Sequence, residues 1–231
     1  MPIDLIAFDA DDTLWENEQH YTAALEKLCT LLAPFANAEH VRKALTEADI
    51  HNLQYYGYGI KAYTLTMLET ASRIANNQLT GEIVDAILEE GKRMFAEPIV
   101  VFEHVVETLE CLPKYKPLML ITRGEIFEQE HRIQRSGLAK YFTYIEIVRT
   151  KSQEIYRQVL AKYHISPQRF VMIGNSLKSD ILPVVALGGR AVYIPIPNPW
   201  QHDVVENPDW NSFDHIEHIG LLPNLLQPFL D

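Results

Sequence analysis

The chain has 231 residues, with 20 Lys and Arg against 31 Asp and Glu, a formal net charge of −11. Hydrophobic residues make up 47% and charged residues 22%, a globular balance that excludes disordered and collagen-like chains. The acid surplus argues against nucleic-acid polymers and anionic membranes as main partners, because both call for Lys and Arg, but leaves room for a small phosphorylated metabolite. At about 150 residues per domain the length predicts one to two domains, with enough chain to bury a full core.

Cys29 and Cys111 are far apart and belong to no Cys-x-x-Cys pair. Neither a disulfide framework nor zinc spacing is present, so a reducing compartment is expected. The start, Met1-Pro2-Ile3-Asp4-Leu5-Ile6, has no basic segment and no long apolar run, and no stretch approaches a membrane span. A cytoplasmic chain is the expectation.

The first predicted strand is Ile3 to Phe8. It ends in an acidic cluster, Asp9-Ala10-Asp11-Asp12-Thr13. Similar apolar runs are Leu118 to Ile121, ending at Thr122-Arg123-Gly124; Phe170 to Ile173, ending at Gly174-Asn175; and Ala191 to Ile194, ending in Pro195 to Pro199. Thr143 to Val148 is a weaker strand. Helical periods lie between them, in Val105, Val106, Leu109 and Leu112, and in Ile155, Val159, Leu160 and Tyr163. Alternating strands and helices predict an α/β fold with a parallel sheet covered on both faces, and ligands in such sheets bind beyond the carboxyl ends of the strands.

Residues from about 16 to 97 break this alternation. They read as amphipathic helices carried by Tyr21, Leu25, Leu28 and Leu32; Val41, Leu45 and Ala48; Tyr63, Leu65, Met67 and Leu68; and Ile83, Val84, Ile87 and Leu88. Breaks are expected near Pro34, at Gly57/Gly59 and at Asn76-Asn77. A small all-α domain inserted after the first strand is the prediction.

Asp9 and Asp11 are two apart at a strand end. Carboxylates that close repel, and a divalent cation between them lowers the cost; Mg²⁺ favours carboxylates together with phosphate oxygens. One carboxylate then serves as nucleophile and the other as general acid and base. A solvated Asp-rich turn is the plainer alternative. Gly174-Asn175-Ser176-Leu177-Lys178-Ser179-Asp180 offers two oxygen ligands, Asn175 and Asp180, or simply a helix start capped by Ser179 or Asn175. Thr122 and the N–H groups after it suit an oxyanion or a phosphate, although Thr is common at strand ends. Lys151 stands out from ordinary surface lysines by its place between a strand and a helix.

Taken in order, Asp-x-Asp-x-Thr, then Thr, then Lys, then Gly-Asn-x-x-x-x-Asp resembles the four-motif pattern of the haloacid dehalogenase (HAD) superfamily. The resemblance covers nearly the whole chain. It implies a Rossmann-like core of residues 1–15 and 97–231 with the first strand central, and a helical cap of residues 16–96. It also implies a Mg²⁺-dependent phosphatase. Asp9 would form an aspartyl-phosphate, and Asp11 would protonate the leaving oxygen and then activate water. Thr122 would bind the transferring phosphoryl group, and Lys151 would offset its charge. Asn175 and Asp180 would hold Mg²⁺ with the Asp9 side chain and the Asp11 carbonyl. The fourth motif departs from the family's usual Gly-Asp, so Asn175 predicts weaker metal binding than Asp. Where many relatives carry Asn, this chain has Arg123, a substrate contact or a solvated helix-start residue. Asp11 disfavours the dehalogenase branch, where that position is not acidic. A phosphomutase of the same family and a receiver-like phospho-acceptor domain are the alternatives.

In Tyr55-Tyr56-Gly57-Tyr58-Gly59-Ile60-Lys61, Tyr55 and Lys61 either face substrate or flank a helix–helix turn whose tyrosines pack inside. Trp15 and Glu16 either border the cap hinge or simply pack. His215 and His218 read as surface residues near a C-terminal helix.

Overall fold

The computed structural model describes residues 2–76, 78–197, 199–200 and 203–230. It divides into two compact units, Met1–Glu16 with Ile99–Asp231, and Asn17–Pro98.

The first unit holds a six-stranded, all-parallel sheet: β1 (Leu5–Phe8), β2 (Leu118–Arg123), β3 (Tyr144–Val148), β4 (Phe170–Gly174), β5 (Arg190–Tyr193) and β6 (Asp214–His215). Their order is β3-β2-β1-β4-β5-β6, which puts β1 in the interior of the sheet, as expected. The two-residue β6 was not foreseen; it is too short to show any period. Side chains alternate between the faces. Ile6, Phe8, Leu118, Leu120, Val171, Ile173 and Val192 pack with Val105 and Leu109 of α5 (Val105–Cys111), Ile133 of α6 (Ile126–Ser136) and Leu222 and Leu226 of α9 (Leu222–Leu226). Leu5, Ala7, Met119, Ile121, Phe170, Met172 and Ala191 pack with Tyr156, Val159 and Leu160 of α7 (Gln153–Lys162) and Val184 of α8 (Leu182–Val185). This is the Rossmann-like α/β architecture, covered on both faces.

The second unit has four helices: α1 (Glu18–Leu31), α2 (Ala38–Tyr56), α3 (Ile60–Ile74) and α4 (Gly81–Ala96). Asn37 accepts a hydrogen bond from His40 N at 2.8 Å and starts α2; Thr80 caps α4 through Ile83 N. Gly57 and Gly59 turn the chain with φ of 72° and 108°, values that a side chain disfavours. Leu28, Val41, Leu45, Ile60, Tyr63, Met67, Ile87 and Met94 form its core. Leu65 and Leu88, expected on the inner faces, are exposed, as is Val106 in α5. Each adjoins a residue that does face inward, and a turn of 3.6 residues cannot bury both. Pro34 lies between α1 and α2 as expected. Asn76 follows α3, whereas Asn77 lies outside the described residues.

Both cysteines are free. Among the described residues no helix is long and apolar enough to cross a membrane. His215 and His218 are exposed; the His218 ring lies 4.9 Å from that of His104.

Candidate active site

Three chain segments ending β1, β2 and β4 meet the start of α7 at the carboxyl edge of the sheet. After β1 the chain turns sharply. Leu14 N bonds to Ala10 O, Asp12 N bonds to Trp15 O, and Asp12 takes a left-handed φ of 61°. Asp tolerates that conformation better than most residues. The turn buries Asp9 and points Thr13 back toward it. The Thr13 hydroxyl lies 3.0 Å from Asp9 Oδ2 and 3.2 Å from Asn175 Oδ1, and accepts from Asn175 N at 3.1 Å. Thr13 therefore joins the first and fourth motifs, a role that spacing alone did not reveal.

Lys151 is buried, with its ammonium bonded to Asp9 Oδ1 and, at 2.7 Å, to Asp180 Oδ1. Lys151 is thus no ordinary surface lysine: the residue precedes Ser152, whose side chain caps α7, and it points inward. Asp180 is 1% exposed, and its Oδ2 accepts from Ser176 N at 3.0 Å. The helix start after β4 is a wide turn of π type, Leu177–Ile181. Its cap is Ser176, which accepts from Ser179 N, rather than Ser179 or Asn175. Buried Tyr156 supports this turn through Ser179 O at 3.1 Å.

Asp11 faces a different set of groups. Its Oδ1 accepts from Trp15 Nε1 at 2.8 Å and lies 3.3 Å from Arg132 Nη2; its Oδ2 accepts from Gln129 Nε2 at 2.8 Å. The Thr122 hydroxyl, 1% exposed, donates to Gln129 Oε1 at 3.0 Å. Gln129 and Arg132 lie on α6, which Glu125 caps through Phe127 N and Glu128 N. Neither residue was named from the sequence. The inner face of α6 carries buried Glu128, Gln129 and Arg132, while Ile126 is 60% exposed at its first turn. Between Phe127 and Ile133 no apolar residue occurs, so this stretch reads in sequence like a solvated face.

Burial pushes the Asp9 carboxyl up to about 7, Lys151 opposes this, and Asp180 and Asp11 add to the rise. Burial would lower the Lys151 ammonium, but Asp180 and Asp9 outweigh it and raise it. The buried ammonium stays charged beside a nucleophile candidate that is crowded by negative neighbours. This is a site short of positive charge.

The donor chemistry fits a hard divalent cation. Asp9 and Asp180 supply carboxylates and Asn175 an amide oxygen, and the Thr13 hydroxyl lies within hydrogen-bond distance of both Asp9 and Asn175. Such a set has two carboxylate side chains. No group of three His, Cys, Asp or Glu side chains that could hold a metal ion occurs among the described residues. The Asp11 side chain is committed elsewhere, to Trp15, Gln129 and Arg132.

Arg123 is partly buried. It donates to Ser179 Oγ at 2.7 Å and to Asp203 Oδ2 at 3.3 Å, and its guanidinium lies 5.8 Å from the Trp200 ring centroid. It ties the end of β2 to the π turn and to the Pro-rich segment after β5, of which Asn198, Gln201 and His202 lie outside the described residues. In the helical unit Tyr55 and Tyr56 are exposed, at 67% and 45%, on the last turn of α2. The expected turn is present, but these two rings do not pack into the unit's core. Lys61, in the first turn of α3, is exposed too. Trp15 is fully buried and serves the site through Asp11, and Glu16 N bonds to Val100 O.

Comparison with known proteins identifies the family and the fold. A family model described as haloacid dehalogenase-like hydrolase matches residues 3–188. A haloacid dehalogenase-like family hydrolase from Xanthomonas campestris is 31% identical, with a TM-score of 0.88, over 99% of this chain and 92% of that one. A 2-haloacid dehalogenase from Pseudomonas syringae pv. Tomato is 22% identical, with a TM-score of 0.66, over 98% and 99%. The putative HAD-hydrolase YfnB from Bacillus subtilis is 16% identical, with a TM-score of 0.69, over 98% and 100%. The last two show the shared fold alone. No curated protein matches the sequence. With the family model spanning both ends of the site, from Asp9 to Asp180, this chain belongs to the haloacid dehalogenase-like hydrolases.

Proposed function

We propose that this hydrolase is a Mg²⁺-dependent phosphatase of a small phosphorylated metabolite, working through an aspartyl-phosphate on Asp9, with residues 16–96 as its cap. The observation that carries the reading is Asp11. A leaving halide needs no proton, whereas a leaving alkoxide does. Here a carboxylate stands two residues beyond the nucleophile, and buried Trp15, Gln129 and Arg132 hold it. Dedicated support of that kind suits a group that moves protons.

Asp9 attacks phosphorus, the P–O ester bond breaks, and Asp11 gives the departing oxygen its proton. Asp11 then takes a proton from water, which attacks the acyl phosphate and releases inorganic phosphate and free Asp9. Thr122 binds phosphoryl oxygens, and Lys151 offsets the charge of Asp9 and the phosphate. Asp9, Asn175, Asp180 and the Asp11 carbonyl would hold Mg²⁺, which when bound supplies further charge neutralisation. One distant relative, YfnB, has been crystallised bound to magnesium. The small size of the substrate rests on the acid surplus of the chain, which disfavours polyanions.

A panel of phosphate esters, with and without Mg²⁺, tests this. Metal-dependent release of phosphate is expected, lost in Asp9→Asn, and reduced about 10²–10⁴-fold in Asp11→Asn. Halide release from 2-haloacids, with no turnover of any phosphate ester, would sink the proposal.

A further inference from the structure

Gln129 touches both groups whose actions have to coincide. Its Oε1 accepts from the Thr122 hydroxyl at 3.0 Å, and its Nε2 donates to Asp11 Oδ2 at 2.8 Å. With Nε2 donating to Asp11, Oε1 is the amide atom left to accept from Thr122. Thr122 has a single hydroxyl proton, and in this arrangement it is committed to Gln129. A phosphoryl oxygen arriving at Thr122 competes for that proton and leaves Gln129 Oε1 without a donor. The amide is 2% exposed, so water does not readily replace the lost partner.

The other side of Asp11 is fixed. Trp15 Nε1 donates at 2.8 Å from a fully buried indole, and Arg132 Nη2 lies 3.3 Å away. The same guanidinium lies 3.8 Å from buried Glu128 and bonds to Glu16 O. Space for Gln129 is provided by Gly124, where a Cβ would stand 2.9 Å from both Cγ and Nε2 of the amide. A loosened Gln129 therefore frees one carboxylate oxygen while the other stays anchored.

We infer that Gln129 is a positioning residue that couples phosphoryl binding at Thr122 to the orientation of Asp11, with Trp15 and Arg132 as the fixed anchor. The inference rests on the phosphatase reading and adds a timing device to it: Asp11 is parked until a phosphoryl group occupies Thr122.

The test uses Gln129→Met, similar in size but without either hydrogen bond, and Arg132→Lys as a second variant that retains the positive charge. Three readouts apply. Turnover is compared on p-nitrophenyl phosphate, whose leaving group needs little protonation, and on an alkyl phosphate, whose leaving group needs it. Gln129→Met is expected to lower kcat on the alkyl ester by about tenfold more than on the aryl ester, with KM nearly unchanged, given the usual range of general-acid effects. Rapid mixing with p-nitrophenyl phosphate is expected to retain a full burst before a slowed steady state. Thirdly, inorganic phosphate is expected to move the indole N–H resonance of Trp15 in wild type and to move it less in Gln129→Met. Arg132→Lys is expected to retain the phosphate-dependent shift, since Gln129 is intact, while lowering kcat on both esters. Equal slowing of both esters in Gln129→Met, wild-type kcat in that variant, or an unaltered phosphate-dependent shift would overturn the coupling alone. Wild-type protein that turns over no phosphate ester would overturn the phosphatase reading, and the coupling with it.

Discussion

Gly174→Ala is the smallest change expected to disable the site. Gly174 ends β4 and has no left-handed φ, so space alone decides its tolerance. An added Cβ would stand 2.3 Å from Asp180 Oδ2, 2.4 Å from its Cγ and 2.6 Å from its Cβ. The clash reaches the root of the side chain, so rotating the carboxylate does not relieve it. Asp180 is also held at both oxygens, by Lys151 at 2.7 Å and by Ser176 N at 3.0 Å. Overpacking costs about 1–3 kcal/mol. Displacing Asp180 leaves the Ser176 N–H buried and unsatisfied, about 1–3 kcal/mol more. At about 2–4 °C per kcal/mol, the melting temperature should fall by on the order of 10 °C. Thermal unfolding by circular dichroism measures this. A parallel titration should show a higher Mg²⁺ concentration for half-maximal activity, because Asp180 has moved. A Tm and a Mg²⁺ response equal to wild type would refute the packing argument, and with it the importance of the Gly174–Asp180 contact.

Further outcomes follow from other positions. Gly81 opens α4, and a Cβ there meets nothing within 4 Å; Gly81→Ala should stabilise the protein by about 0.4–1 kcal/mol in chemical denaturation, and a loss of stability would contradict the open surroundings. Asp9 keeps its proton in the folded, metal-free protein up to about 7, whereas the unfolded chain loses it near 3.8. The folded state then binds more protons between those values, so stability falls as pH rises through that window. In chelator, Asp9→Asn should lack this fall, and wild-type and variant melting curves with the same pH dependence would show that Asp9 is not its source. Asn175→Asp adds a negative charge to the ligand set and should lower the half-activating Mg²⁺ concentration about tenfold, as ligand charge does at hard-cation sites; no tightening would remove Asn175 from the metal shell.

Three strand ends were legible because an apolar run stops at a polar or small residue. Ile3 to Phe8 leads to Asp9, Leu118 to Ile121 leads to Thr122, and Phe170 to Ile173 leads to Gly174-Asn175. A buried parallel strand is continuously apolar, so its end is marked in one dimension, and a parallel sheet gathers those ends along one edge. Asp9, Thr122, Lys151 and Asp180 were brought together by their order along the chain and by the family pattern that this order resembles. Apolar periodicity also located the four helices of residues 18–96 and the turn at Gly57 and Gly59, yet it buried Leu65, Leu88 and Val106 wrongly, since a period names a helix face only to within a neighbour.

What tertiary structure alone decided is where each polar group spends its hydrogen bonds. Asp9 and Asp11 are near-identical in sequence context. One shares a buried ammonium with Asp180, and the other is held by an indole, an amide and a guanidinium from residues up to 121 positions away. Gln129 and Arg132 sit on a helix whose inner face is polar, and no local pattern distinguishes such a face from a solvated one. Arg123, which the chain order offered as a substrate contact, is bound to Ser179 and Asp203. Hydrogen bonds between distant segments depend on packing in three dimensions, and the sequence marks the groups that need partners without saying which partners they find.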